Sequence, residues 1–181
     1  PLTVRLTVSV SPGSPQSSVF PFTVEAQSRE TNVRLRSALA QIGEPLDETV
    51  TVVSDGGPLE KIMGREALDL PIVLGVLAAK GRIPVASLDG MMAFGELSLH
   101  GELKTVRGAA IAAIGAERMS ARALLVPAEN EIEARFSGNV PVVSFGTLAE
   151  VIQFLEHPQV VREPPVKYTP CPSSFQGVDP G

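Results

Sequence analysis

The 181-residue chain has one cysteine, two histidines, one tyrosine, no tryptophan and 4% aromatic residues. Cys171 therefore has no internal partner for a disulfide, and His100 and His157 stand apart, without the Cys/His spacing of a zinc site. No run approaches the ~20 consecutive apolar residues that cross a bilayer, and the first residues lack the basic-then-apolar order of a signal peptide. A cytoplasmic domain without membrane contact is the expectation. Positive charge is also in deficit: 15 basic against 20 acidic residues leave −5, which excludes a polybasic nucleic-acid binder while leaving room for a local basic patch. Lysine is scarcer still, limited to Lys61, Lys80, Lys104 and Lys167. An initiator Met is missing, and Pro1 reads as the start of a trimmed or excised piece.

What is abundant is aliphatic. Apolar residues make up 44% of the chain, enough for one soluble domain to hold a core without disulfides or metals. Leu2, Val4, Leu6, Val8 and Val10 alternate with polar residues and predict a strand. A Ser/Pro/Gly loop over 11–18 leads to a second expected strand over 19–26, placed at an edge by Pro21. Residues 29–42 show helical spacing, with Ser28 as the expected N-cap and Gly43 and Pro45 as the stop. A β-branched strand is expected over 49–54. Residues 70–80 are apolar almost all round and predict an enclosed core helix, capped by Asp69, tolerant of Pro71 in its first turn and ended by Gly81.

A hairpin is expected from residues 93–99 and 102–106 around His100-Gly101. After it come a helix over 109–119, a buried strand over 123–126, a short helix over 128–136, a strand over 140–144 and a last helix opened by a Thr147/Glu150 capping box. This order predicts an α/β (α+β-like) domain over residues 1–156, with a mixed sheet, a β-hairpin and packed helices. Residues 157–181, with six prolines, read as a linker or tail.

Gly56-Gly57 and Gly64 match neither the P-loop nor the dinucleotide fingerprint, so no nucleotide site is expected in this chain. Arg29, Arg34 and Arg36 cluster on the first helix, with Arg5 possible beside them, and are the candidates for a phosphate-backbone contact. Their alternative is a solvated helix face. His100 reads as an exposed turn residue, Glu96 as a lone structural carboxylate, and Met91-Met92 as core or subunit contact.

Three stretches carry a family resemblance. They are Asp69-Leu70-Pro71-Ile72-Val73-Leu74-Gly75, Phe94-Gly95-Glu96-Leu97-Ser98-Leu99-His100-Gly101-Glu102-Leu103, and Val106-Arg107-Gly108-Ala109-Ala110. Together they resemble the N-terminal, ChlI-type domain of the ComM/YifB group of magnesium-chelatase-like AAA+ proteins. That domain is similar in turn to the proteolytic domain of Lon and the C-terminal domain of RadA. The resemblance runs from about Thr3 to Leu155, and residues 125–130 are similar to the Ile-Pro-x-x-Asn segment of Lon. It implies a Lon protease-like, ribosomal protein S5 domain 2-like fold, with Asp69, Pro71, Gly75, Gly95, Glu96, Gly101 and Gly108 as structural motif residues.

Carried over residue by residue, the catalytic serine of Lon falls on Ile72 and its lysine on Ala110. Neither supports a nucleophile–base pair. The resemblance thus implies a non-proteolytic accessory domain of an AAA+ ATPase, working in ring assembly and in substrate or DNA handling, as in competence. It implies self-association, up to a hexameric ring, with an AAA+ module in cis beginning near residues 174–177. No cofactor is expected in the chain itself, ATP and Mg belonging to that module. The alternatives are an active serine peptidase with an unrecognised site and a stand-alone protein-interaction module. Two segments depart from the family pattern. Residues 52–57 stand where family members have Asn-Leu-Ala-Pro-Ala-Asp, and residues 22–26 replace a Gly-Leu-Pro-Asp segment.

Overall fold

The computed structural model describes residues 3–55, 59 and 65–157. The expected linker at 157–181, Cys171, and the glycines at 56, 57 and 64 lie outside the described residues, apart from His157.

The first strand, β1 (Leu6–Ser11), is shorter than its alternating pattern, and pairs antiparallel with β2 (Thr49–Ser54), which falls on its expected bounds. Residues 19–26 do not form the expected strand. Val19 makes one parallel bridge to β2, through its N–H to Val50 O (2.8 Å) and its C=O from Val52 N–H (2.8 Å). Pro21, lacking an N–H, ends the ladder there. The apolar side chains that suggested a strand still serve: Phe20 and Phe22 are buried in the core. The chain then turns directly into α1 (Glu25–Gln41), whose N-cap is Val24. Ser28 lies inside the helix and does not cap it. The first turn forms because Gln27 and Ser28 donate to the Val24 carbonyl, so tertiary packing of the apolar face outweighs a missing side-chain cap.

Helix α2 (Asp69–Ala79) matches its expected position, buries Leu70, Ile72, Val73, Leu74, Val76 and Leu77, and ends at Gly81 with φ +72°. Strand β1 crosses it so closely that a Cβ at Gly75 would lie 2.5 Å from Val8 Cγ2, which is why that position takes a glycine.

The expected hairpin divides. Met91–Ala93 form β3, which runs parallel to β6 (Ala123–Pro127), while Glu96–Leu97 (β4) and Leu103–Lys104 (β5) form a short antiparallel pair. The chain leaves one sheet for the other at Phe94-Gly95. The turn between β4 and β5 is longer than two residues, and the Ser98 hydroxyl holds it by accepting from His100 N–H (3.2 Å) and Glu102 N–H (3.1 Å).

Then follow α3 (Ala109–Arg118), β6, α4 (Glu131–Ser137), β7 (Val142–Phe145) and α5 (Leu148–Glu156). Strand β6 is buried at every residue and lies between β3 and β7, both parallel to it, as a central strand covered on both faces should. The Thr147/Glu150 capping box is formed as expected. The fold is mixed α/β, but among the described residues the strands do not join into one continuous mixed sheet. The order β3-β6-β7 and the two antiparallel pairs β1-β2 and β4-β5 are separate. The expected hairpin could not supply the join, because its first half, β3, pairs parallel with β6 and only β4 pairs antiparallel with β5.

Candidate functional site

The motif residues converge on the N-terminus of α2. Asp69 is fully buried, and its carboxylate accepts from Arg34 Nε (2.8 Å), Arg34 Nη2 (3.2 Å) and the Leu97 N–H (3.2 Å). It therefore ties α1 and β4 to the start of α2, in place of the simple helix cap expected of it. Gly95 completes the join: its N–H donates to Ala67 O (2.9 Å), and its C=O accepts from Leu70 N–H (3.0 Å), satisfying one of the orphan donors of the helix. Pro71 costs nothing in that first turn.

Burial, with a smaller push from the nearby Glu96 carboxylate, raises the Asp69 carboxyl above its ordinary value, while the Arg34 guanidinium and the Leu97 amide pull the other way. For Arg34, burial works against its charge and the two contacts with Asp69 work for it, leaving it raised. An isolated carboxylate in this position would carry a large desolvation cost, so the fork from Arg34 is what makes Asp69 tolerable.

A second join fixes the hairpin to α5. Gly101, with φ +82°, accepts from Leu148 N–H (2.8 Å), and Leu103 N–H donates to Gly146 O (2.8 Å). A third holds the lead into α3. The buried Asn130 side chain accepts from Val106 N–H (3.0 Å) and donates to Val106 O (2.9 Å), and Gly108 takes φ +101° just before the helix. Neither Asn130 nor Ser98 was assigned a role from sequence. Their signal was membership of motif stretches in which a short polar side chain follows a strand, where such side chains bond nearby backbone.

Ile72 is fully buried in the middle of the core, and the Ala110 N–H donates to Glu133 Oε1 at 3.1 Å. Both positions are thus occupied by packing and helix-end contacts. The three arginines of α1 are not brought together on one face. At 100° per residue Arg29 and Arg36 share a side while Arg34 points elsewhere. Arg29 is exposed and pairs with Glu25 (2.5 Å). Arg36 is tied to Asn32 (2.7 Å), Ser18 (3.0 Å) and the carbonyls of Leu46 and Glu48, and Arg34 is tied to Asp69. Arg5 stands 3.8 Å from Asp55. His100 is exposed in its turn, Lys80 pairs with Glu48 (3.0 Å), and Lys104 is exposed on β5.

Among the described residues no three His, Cys, Asp or Glu side chains are grouped to hold a metal ion, and no helix is long and apolar enough to cross a membrane.

A mixed α/β domain whose motif residues join α1, α2, the hairpin and α5 is the class that these contacts define. The chain belongs to the family of the ChlI subunit of Mg-chelatase, whose model matches residues 6–130, from β1 to the turn before α4. Among its relatives are the competence protein ComM of Haemophilus influenzae, 34% identical over 84% of this chain, and the YifB protein of Escherichia coli, 32% identical over 91%. The YifB protein of Salmonella typhimurium is 30% identical over 91%. The chain spans only 29% of the ComM protein and 31% of each YifB protein.

Proposed function

We propose that the chain is a non-peptidase, Lon-like accessory domain of a Mg-chelatase-like AAA+ protein, and that it works in ring assembly and in presenting substrate or DNA to the ATPase module. The observation that carries this reading is the pair of positions that the resemblance assigns to a serine–lysine dyad. One is Ile72, sealed in the core, and the other is Ala110, with its amide bonded to Glu133. A covalent hydrolytic step needs a nucleophile and a base within hydrogen-bond reach, and these two side chains offer neither. Family membership supports the association with magnesium-chelatase-like proteins, and the relatives' greater length leaves room for the module that would bind ATP and Mg.

The ring follows by analogy with Lon-like and RadA-like domains. DNA handling is the finer part of the reading, suggested by the competence role in the ComM name. Of the α1 arginines, Arg29 is the one available for it, at the cost of its exposed pair with Glu25.

The test uses the longer polypeptide that contains this domain. Light scattering with ATP and Mg should report a closed oligomer, and unfolded protein or fluorogenic peptides should show no turnover. Turnover abolished by one Ser or Lys change overturns the reading in favour of a peptidase. A DNA affinity that does not fall with salt removes DNA contact from it.

A further inference from the structure

The C-terminal ends of α2 and α5 meet, and the meeting is rich in negative charge. Glu156, the last residue of α5, and Glu44 and Glu48, from the connection between α1 and β2, all reach the end of α2. A helix presents unpaired carbonyls and the negative end of its dipole at that terminus, and neither α2 nor α5 has a basic residue in its own last turn. Glu156 therefore stands where a carboxylate is least favoured on a helix. Two cations just past α2 answer it. Lys80 Nζ donates to Glu48 Oε1 (3.0 Å) and to Pro45 O (3.1 Å), while Arg82 is shared, its Nε donating to Glu44 Oε1 (2.6 Å) and its Nη1 to Glu156 Oε1.

Arg82 is set in place by its own backbone, which donates to Leu77 O (2.8 Å) directly after Gly81 turns with φ +72°. Because it serves both carboxylates, its removal does more than break one pair. It leaves Glu44 and Glu156 side by side at a negative helix end, with Lys80 already engaged by Glu48. The three side chains are about one-third exposed, at 36%, 28% and 31% for Arg82, Glu44 and Glu156, so dissolved salt reaches the cluster.

The two ends of α5 are secured by different forces. At its start the Thr147/Glu150 box closes the helix, and Leu148 N–H and Leu103 N–H donate to Gly101 O and Gly146 O (2.8 Å each), bonds between neutral backbone groups that salt does not screen. At its finish no glycine turns the chain, and His157 N–H donates to Gln153 O at 3.2 Å. The Ser87 hydroxyl donates to Leu155 O (2.7 Å), and the ion pair with Arg82 does the rest.

We infer that Arg82 is an electrostatic pin: while it holds Glu44 and Glu156 the last turn of α5 stays on α2, and when it is lost or screened that turn opens by itself, with the hairpin end of α5 left in place. Residue 158 follows directly on this turn, so the pin makes the point of departure from α5 sensitive to ions and to any charged group brought to Glu156. Opening is a minor population, because Leu155 is buried and Phe154 packs against Phe145 with ring centroids 5.4 Å apart. This goes beyond the accessory role proposed above and does not depend on it.

The test is hydrogen exchange of the 181-residue chain in low and high salt, followed at the amides of Leu155, Glu156 and His157 and, for comparison, at those of Leu103 and Leu148. High salt should speed exchange in the first group about threefold and leave the second unchanged. Arg82→Gln should do the same in low salt, with no further gain from high salt, because both act on one repulsion. Adding Glu156→Gln should return Arg82→Gln to the rate of the unsubstituted chain, a rescue that loss of a merely packed arginine stem would not allow. Equal acceleration at Leu103 and Leu148 overturns the inference, since α5 would then leave as one unit. Unchanged exchange of the last turn in high salt overturns it as well, and that measurement needs no substitution, so it decides the matter even where Arg82→Gln fails to fold. A double variant that exchanges as fast as Arg82→Gln alone is the third contrary result.

Discussion

The half of the molecule around α2 and the half around α3 are packed by opposite means. Around α2 the core is built from large aliphatic side chains, Leu35, Leu39, Leu70, Ile72, Leu77 and Leu97 among them, and it encloses the Asp69–Arg34 pair. Around α3 it is built largely from alanines: Ala109, Ala113 and Ala116 on the helix and Ala134 on α4, set against Leu124, Val126 and Val142. The small residues let backbones meet. A Cβ at Gly138 would lie 2.9 Å from Ala113 O. The first half gains stability from buried area, and its weak point is removal of atoms or of charge. The second has little area per residue to lose, and its weak point is addition.

The sharpest way to break the first half is Arg34→Met, which leaves Asp69 buried without its counter-ion. We expect a loss of about 3–5 kcal/mol in urea unfolding, with much of it recovered in the double variant Arg34→Met/Asp69→Leu. The sign of the pH effect follows from the raised Asp69 carboxyl. A carboxyl raised on folding contributes stability below its unfolded pKa, and that contribution is lost as pH rises through the folded value. The Arg34→Met penalty should therefore shrink as the solution is acidified. A penalty that grows on acidification would show that Asp69 is held ionised more strongly than burial allows.

In the second half, Ala113→Leu should cost about 1–3 kcal/mol by overpacking α3 against α4 and Gly138, whereas the volume-conserving Leu77→Met in the first half should cost less than about 1.5 kcal/mol. Thermal unfolding followed by circular dichroism compares the two. Equal losses would erase the distinction between the halves.

The smallest effect belongs to the rim of the α2 half. The Lys80 hydrogen bond holds the Glu48 carboxyl below its ordinary value. Its contribution is present above the unfolded pKa and lost as pH falls through the lower folded one. Because the pair is solvent-screened, Glu48→Gln should cost about 0.3 kcal/mol near neutral pH and nothing in acid. Chemical denaturation at the two pH values reads this difference.

Local pattern carried the elements that satisfy their own backbone. Strand β2 and helix α2 lie where their residues place them, as does the capping box of α5, because β-branching, all-round apolar character and a Thr-x-x-Glu spacing act within a few residues. The segment 19–26 misled because an apolar stretch with one proline reads the same whether its side chains fill a core from a strand or from a bend. The site was legible as motif but not as mechanism. Asp69 stood out as a helix-start residue, yet nothing near it in sequence announced Arg34, which lies 35 residues away and reaches it only once α1 packs beside α2.

By itself the sequence determined that this is a mixed α/β domain, that its central helix is enclosed, and that the positions matching a Lon-type serine and lysine are isoleucine and alanine. Those properties are set by residue type and short-range spacing. Tertiary structure alone decided that the α1 arginines serve the fold on different faces, that Asp69 is a buried junction, and that β3 and β6 pair side by side in parallel. Each depends on which surfaces meet across long stretches of chain, and burial, charge pairing and strand pairing are properties of those meetings.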